Sequence, residues 1–87
     1  MREAAIEKKL KKEVESRGGL FLKWTSPGFT GVPDRIALLP GGKILFVEVK
    51  RPGKGYQPRQ ARVAAQLEAL GFTTICADCV EDLTDAL

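Results

Sequence analysis

The chain contains no histidine, and that gap removes a large share of enzyme chemistry. Ser-His-Asp and Cys-His nucleophile pairs, histidine-ligated metal nucleases and any imidazole general base are excluded. Any hydrolysis must rely on carboxylates, lysine, tyrosine or a metal. Cysteine is scarce as well, with Cys76 and Cys79 forming a lone C-x-x-C. Without histidine the pair supplies half of a tetrahedral zinc site, and the early β-α-β setting of a redox motif is missing. Both cysteines therefore read as small apolar residues at a strand end. No apolar run approaches the roughly 18 residues of a membrane span, and the charged start is unlike a signal peptide. The expectation is a soluble, cytoplasmic protein with no membrane partner and no organic cofactor.

What the chain does hold is ordinary in bulk. Its 87 residues suit one small domain with no room for a second core. A hydrophobic share of 44% against 29% charged residues is globular, although so small a core gains from a partner subunit. The net charge of +3 permits a polyanionic partner without requiring one.

The informative stretch is Gly31 to Lys50. It reads as two apolar strands, Asp34 to Leu39 and Lys43 to Val49, joined by Pro40-Gly41-Gly42. Ile36, Leu38, Ile44 and Phe46 fall on one pleat face, and Ala37, Leu39, Leu45 and Val47 on the other, so the sheet needs cover on both sides. Register decides what the charged end of the hairpin does. A turn of Gly41-Gly42 alone would pair Asp34 with Val49 and send Glu48 to the opposite face. A loop that includes Pro40, which has no ladder donor, pairs Leu39 with Lys43 and Asp34 with Glu48. Asp34, Glu48 and Lys50 then share a face. Facing carboxylates repel, and a divalent cation between them reverses that sign.

Pro33-Asp34 followed by Glu48-Val49-Lys50 resembles the signature of the PD-(D/E)XK nucleases. The wider set Gly31-Val32-Pro33-Asp34-Arg35, Phe46-Val47-Glu48-Val49-Lys50, Gln60 and Gly71 resembles the VRR-NUC domain, the virus-type replication-repair nuclease, in its stand-alone bacteriophage form. The resemblance covers nearly the whole chain. It implies an α/β, restriction-endonuclease-like fold with a small mixed central sheet flanked by helices.

Ahead of the hairpin, Met1 to Arg17 carries Ile6, Leu10 and Val14 at helical spacing and stops at Gly18-Gly19. Glu3 and Glu7 lie on or beside that apolar arc. Either is explained by the macrodipole at a helix start; together they suit a third acidic group of a metal site, and the resemblance supports a first-helix glutamate. Counting back eleven residues from Gly18, as in related junction-resolving nucleases, selects Glu7, whereas the VRR-NUC spacing to Ile6 selects Glu3. Glu7 is preferred slightly. Leu20 to Trp24 reads as a strand, with Trp24 in the core. The loop from Thr25 to Val32 presents Phe29 as a nucleic-acid wedge, at a place where family members often carry basic residues.

Beyond the hairpin, Arg51 to Gln60 is a Gly- and Pro-rich loop whose charge is all positive. Arg51, Lys54, Arg59 and Arg62 suit a phosphate backbone, and Tyr56 suits a base or the packing of the loop. The helix Pro58 to Leu70 buries Val63, Leu67 and Leu70, with Gln60 one turn before Val63 on the same stripe. That amide could orient a water, touch phosphate or cap a backbone group, and its match to the family glutamine favours a functional role. Phe72 to Cys76 reads as a strand, and Asp78 with Glu81 as a capping box for a helix Val80 to Ala86. The order is α-β-β-β-α-β-α.

The chemistry implied is phosphodiester hydrolysis with Mg²⁺ or Mn²⁺. Asp34, Glu48, a first-helix glutamate and the Val49 carbonyl are oxygen ligands for such a hard cation. Lys50 orients water or stabilises charge on the phosphate. Stand-alone VRR-NUC domains resemble Holliday junction resolvases, so the expected substrate is branched DNA, a four-way junction, cut by a homodimer. A flap or 5′-exonuclease and a non-catalytic nucleic-acid-binding module are the alternatives.

Overall fold

A computed structural model describes residues 2–87, so Met1 of the expected first helix lies outside the described residues. The elements are α1 (Glu3–Ser16), β1 (Leu20–Lys23), β2 (Arg35–Leu39), a 3-10 turn at Pro40–Gly42, β3 (Lys43–Val49), α2 (Pro58–Ala69), β4 (Thr73–Ala77) and α3 (Val80–Thr84). This is the order read from the sequence, with ends displaced by a residue or two. The sheet runs β1-β2-β3-β4, antiparallel except for the parallel pair β3 and β4 that α2 connects.

Hairpin register follows the loop count. The Pro40–Gly42 turn places Leu39 opposite Lys43, and the ladder continues to Arg35 opposite Val47. Gly41 and Gly42 have φ of 82° and 76°, left-handed backbone that side chains resist. Strand alternation then sorts the residues. Phe21, Ala37, Leu39, Leu45, Val47 and Val49 join Ile6, Leu10 and Val14 of α1 and Leu83 of α3 in a continuous core. The close approach of α1 to the sheet depends on Gly19, where a Cβ would stand 2.4 Å from the Leu38 carbonyl oxygen and 2.9 Å from Val14.

The opposite face is less complete than expected. Phe46 is buried between Trp24, whose ring centroid is 5.1 Å away, and Phe72 at 5.4 Å. From α2, Val63 and Ala64 are buried, Leu67 only in part, and Leu70 is 74% exposed. Leu20 and Leu22 of the edge strand β1 are 57% and 43% exposed. The expected burial of Leu67 and Leu70 therefore fails. The apolar stripe of α2 continues, but between it and Trp24, Phe29 and Val32 lies a groove of about 650 Å³ rather than packed side chains.

The start of α3 is another correction. The N-cap is Cys79, not Asp78, and Glu81 takes no part in capping. Instead the Asp82 carboxylate accepts the Asp78 backbone N–H at 3.0 Å, and the Asp78 carboxylate accepts the Gly53 N–H at 3.3 Å. Asp78 ties the basic loop to the sheet.

Candidate active site

The ladder step beyond Arg35 and Val47 brings Asp34 opposite Glu48, and the two meet at the open end of the hairpin. Glu48 is 3% exposed, the buried charged residue of an otherwise apolar strand. Its Oε2 accepts a hydrogen bond from Gln60 Nε2 at 2.9 Å and lies 3.4 Å from Lys50 Nζ. Its Oε1 is buried with no hydrogen-bond partner. Burial, followed by the Asp34 charge, pushes the Glu48 carboxyl from 4.5 up to about 7, against the opposing pull of Lys50. An ionised carboxylate held in this way carries an unmet demand for positive charge.

Asp34 is exposed, and its Oδ2 accepts the Val49 N–H at 3.2 Å. That bond turns the side chain across the end of the ladder, into a cleft of about 240 Å³ lined by Glu3, Glu7, Lys23, Trp24, Asp34, Arg35 and Val49. Both first-helix glutamates thus reach the neighbourhood of Asp34. Glu48 lies outside the lining, yet near enough to Asp34 for the two charges to be felt. The donor set, carboxylates with an unsatisfied buried oxygen, fits a hard divalent cation.

Arg35 enters the sequence motif without a role of its own, and the structure pairs its guanidinium with the Glu7 carboxylate. A signal was present. Alternation puts Arg35 with Ala37 and Leu39 on the face that α1 covers, where a half-buried cation needs an acid.

Gln60 is committed at both ends. Its Oε1 accepts the N–H of Gln57, the N-cap of α2, at 2.9 Å, while its Nε2 holds Glu48. The capping alternative is the one the structure shows, and the amide nitrogen is given to Glu48, so the start of α2 is anchored on the acidic strand. Tyr56 packs inward, with its hydroxyl buried and without a hydrogen-bond partner, and burial raises its pKa. Arg51, Lys54, Arg59 and Arg62 are exposed. Arg59 and Arg62 line a concavity with Phe29 and Thr30, so α2 brings positive charge to the loop position that itself lacks it. Gly31 makes this possible. Its φ is +91°, and a Cβ there would fall 2.7 Å from Arg59 Cγ and 3.1 Å from Val63 Cγ2. The loop leading to Asp34 lies directly on α2.

Among the described residues, Asp78, Cys79 and Asp82 are the group whose potential metal-ligand atoms already lie close together. Oxygens of Asp78 and Asp82 already serve backbone donors, so the group is read as the start of α3. Cys76 and Cys79 are free, and burial pushes the Cys76 thiol up, away from the reactive thiolate.

A mixed four-stranded sheet flanked by helices, with an acidic hairpin end and a lysine beside it, is the PD-(D/E)XK restriction-endonuclease-like fold. A solved structure described as a VRR_NUC domain matches it with a TM-score of 0.88 and 30% sequence identity, over 95% of this chain and 90% of that one. The curated protein "Putative nuclease p44" of Acyrthosiphon pisum secondary endosymbiont phage 1 is 49% identical over 87 residues, all of this chain and 92% of that protein. No family model matches. The chain belongs to the VRR-NUC family.

Proposed function

We propose that this VRR-NUC nuclease is a structure-selective DNA endonuclease that uses Mg²⁺ or Mn²⁺ and cuts four-way junctions as a homodimer. The observation that carries the reading is the buried Glu48 carboxylate beside Asp34, with an oxygen that no protein donor satisfies. Asp34, Glu48, a first-helix glutamate and the Val49 carbonyl would hold the cation. When bound there it supplies a Lewis acid for the phosphate and lowers the pKa of water.

The chain's own residues divide the remaining work. In hydrolysis a water oxygen bonds to phosphorus, a bridging P–O bond breaks, and the departing oxygen takes up a proton. Lys50, 3.4 Å from Glu48, places a cation where negative charge builds on the phosphate. Gln60 holds the Glu48 carboxylate against α2, keeping its rotamer fixed. Arg51, Lys54, Arg59 and Arg62 hold the backbone of the DNA, with Phe29 beside two of them as a wedge at a distorted step. Tyr56 supports that basic loop from beneath. Among the described residues no helix is long and apolar enough to cross a membrane, and DNA in the host cytoplasm is the proposed target.

The homodimer is supported by the partly exposed leucines of β1, Leu20 and Leu22, on the incompletely covered face of the sheet. An apolar edge of this kind gains from burial against a second copy. Paired nicks on a four-way junction need such a two-fold arrangement.

The test compares labelled four-way junction, flap and linear duplex in a metal series. Symmetric paired nicks in the junction, lost in EDTA and restored by Mn²⁺, are the expected outcome. Asymmetric products on flaps would replace junction resolution with a flap activity, and intact DNA at high protein despite binding would leave a binding module. Binding itself carries a second expectation. Arg59→Ala with Arg62→Ala should reduce the slope of log affinity against log salt by about 1 to 2 on every DNA sequence; an unchanged slope in a titration would move the phosphate surface elsewhere.

A further inference from the structure

We infer that Arg35 is a positioning residue: by pairing with Glu7 it neutralises that carboxylate and leaves Glu3 as the first-helix acid available to a cation in the cleft beside Asp34. The inference rests on the metal-site reading above and goes further, because it separates glutamates that the sequence leaves equivalent.

Glu3, Glu7, Arg35 and Asp34 line the same cleft, so their charges act on whatever occupies it. Within that set Glu7 is the glutamate with an ion pair, its carboxylate held by the Arg35 guanidinium. Among the described residues Glu3 has none. The two glutamates are separated by about one helical turn on one side of α1, so they enter the cleft at different depths. Glu7 is half-buried and Glu3 exposed at the rim.

Arg35 is itself fixed. Its backbone lies in the ladder opposite Lys23 and Val47, and its Nε is buried without a hydrogen-bond partner. It therefore depends on Glu7 for compensation. If Glu7 moved to a cation, a half-buried guanidinium would be stranded beside a second positive charge, and the low-dielectric setting makes that juxtaposition unfavourable. Glu3 can engage a cation without that penalty. The net effect of the pair on the cleft is close to neutral, so a cation there senses chiefly Asp34 and Glu3 of the lining, opposed by Lys23, with Glu48 acting from outside it.

A charge cycle measured by Mn²⁺ binding tests this without recourse to cleavage. Free Mn²⁺ is followed by electron paramagnetic resonance for the intact chain and for R35Q, E7Q, R35Q/E7Q and E3Q. Arg35→Gln frees a negative charge and should tighten binding about three- to tenfold, while Glu7→Gln frees a positive one and should weaken it by a similar factor. The double variant restores neutrality and should return to within about twofold of the parent chain. Glu3→Gln should weaken binding about tenfold or more, the loss of a direct ligand rather than of a distant charge.

A double variant that binds as weakly as E7Q would overturn the inference, since Glu7 would then be a ligand in its own right. So would an E3Q protein with unchanged affinity. The exchanged pair E7R/R35E, which keeps the charges in contact, should bind like the parent and provides a folded comparison if a single substitution unfolds the chain. Mn²⁺ binding that Asp34→Asn leaves untouched would sink the metal site itself, a result distinct from failure of the cycle.

Discussion

Glu48→Gln is expected to lower junction cleavage by at least about 10³-fold and, at pH 8 without metal, to raise the melting temperature. Both effects come from the same oxygen atoms. The substitution preserves shape and can still accept the Gln60 amide, so the neighbourhood that holds Glu48 survives. It removes the charge that would bind a cation together with Asp34, and with it the proposed chemistry. It also removes a buried like-charge neighbour of Asp34, which in the metal-free protein opposes folding. Single-turnover cleavage, junction binding in EDTA and thermal unfolding check the three parts. Junction binding should persist. Cleavage within tenfold of the parent chain would remove Glu48 from the reaction.

Metal-free protein should lose stability as the pH rises from about 4.5 to about 7, and a divalent cation should restore it. The sign follows from proton counting. Glu48 titrates at about 7 in the folded chain against an ordinary 4.5. Between those values the folded state binds a proton that the unfolded state has released, so the slope of unfolding free energy with pH is negative. The full difference is present below about 4.5 and gone above about 7. Its size is on the order of 1 to 3 kcal/mol, a melting shift of about 5 °C or more in so small a domain. Other carboxylates titrate nearby, so the measured quantity is the difference between the parent chain and Glu48→Gln across pH 4 to 9, with and without Mn²⁺. A difference that stays constant across that range would mean that Glu48 ionises at its ordinary value and that its burial carries no electrostatic strain.

Much of this geometry is legible in the sequence where short-range rules decide it. The hairpin is the clearest case. Pro40 cannot donate to a ladder, the loop must therefore contain it, and the odd loop length brings Asp34 opposite Glu48 and Lys50 onto the Glu48 face. The break at Gly18 and the stripe of Ile6, Leu10 and Val14 likewise need only helix geometry. What escaped was set by contacts between elements. Helical periodicity places Leu70 on the stripe of Val63, but periodicity does not say where the opposing layer stops, and beside Leu70 there is a groove. The pairing of Arg35 with Glu7 depends on how α1 crosses β2, which no spacing within either segment determines. At α3 the sequence holds Asp78, Cys79, Glu81 and Asp82 in close succession, so several capping patterns compete. The tether from Asp78 to Gly53 favours the one observed.

The hairpin's charged end lies at the greatest distance from its turn, and this has a kinetic consequence. Closing the Pro40–Gly42 loop joins residues that are almost adjacent, so strand association is expected to nucleate there and zip outward through Ile44, Leu45 and Phe46. Asp34 and Glu48 are brought together by the last step of that zipper, after the apolar rungs have locked. Substitutions confined to those acids should alter how fast the protein comes apart far more than how fast it forms.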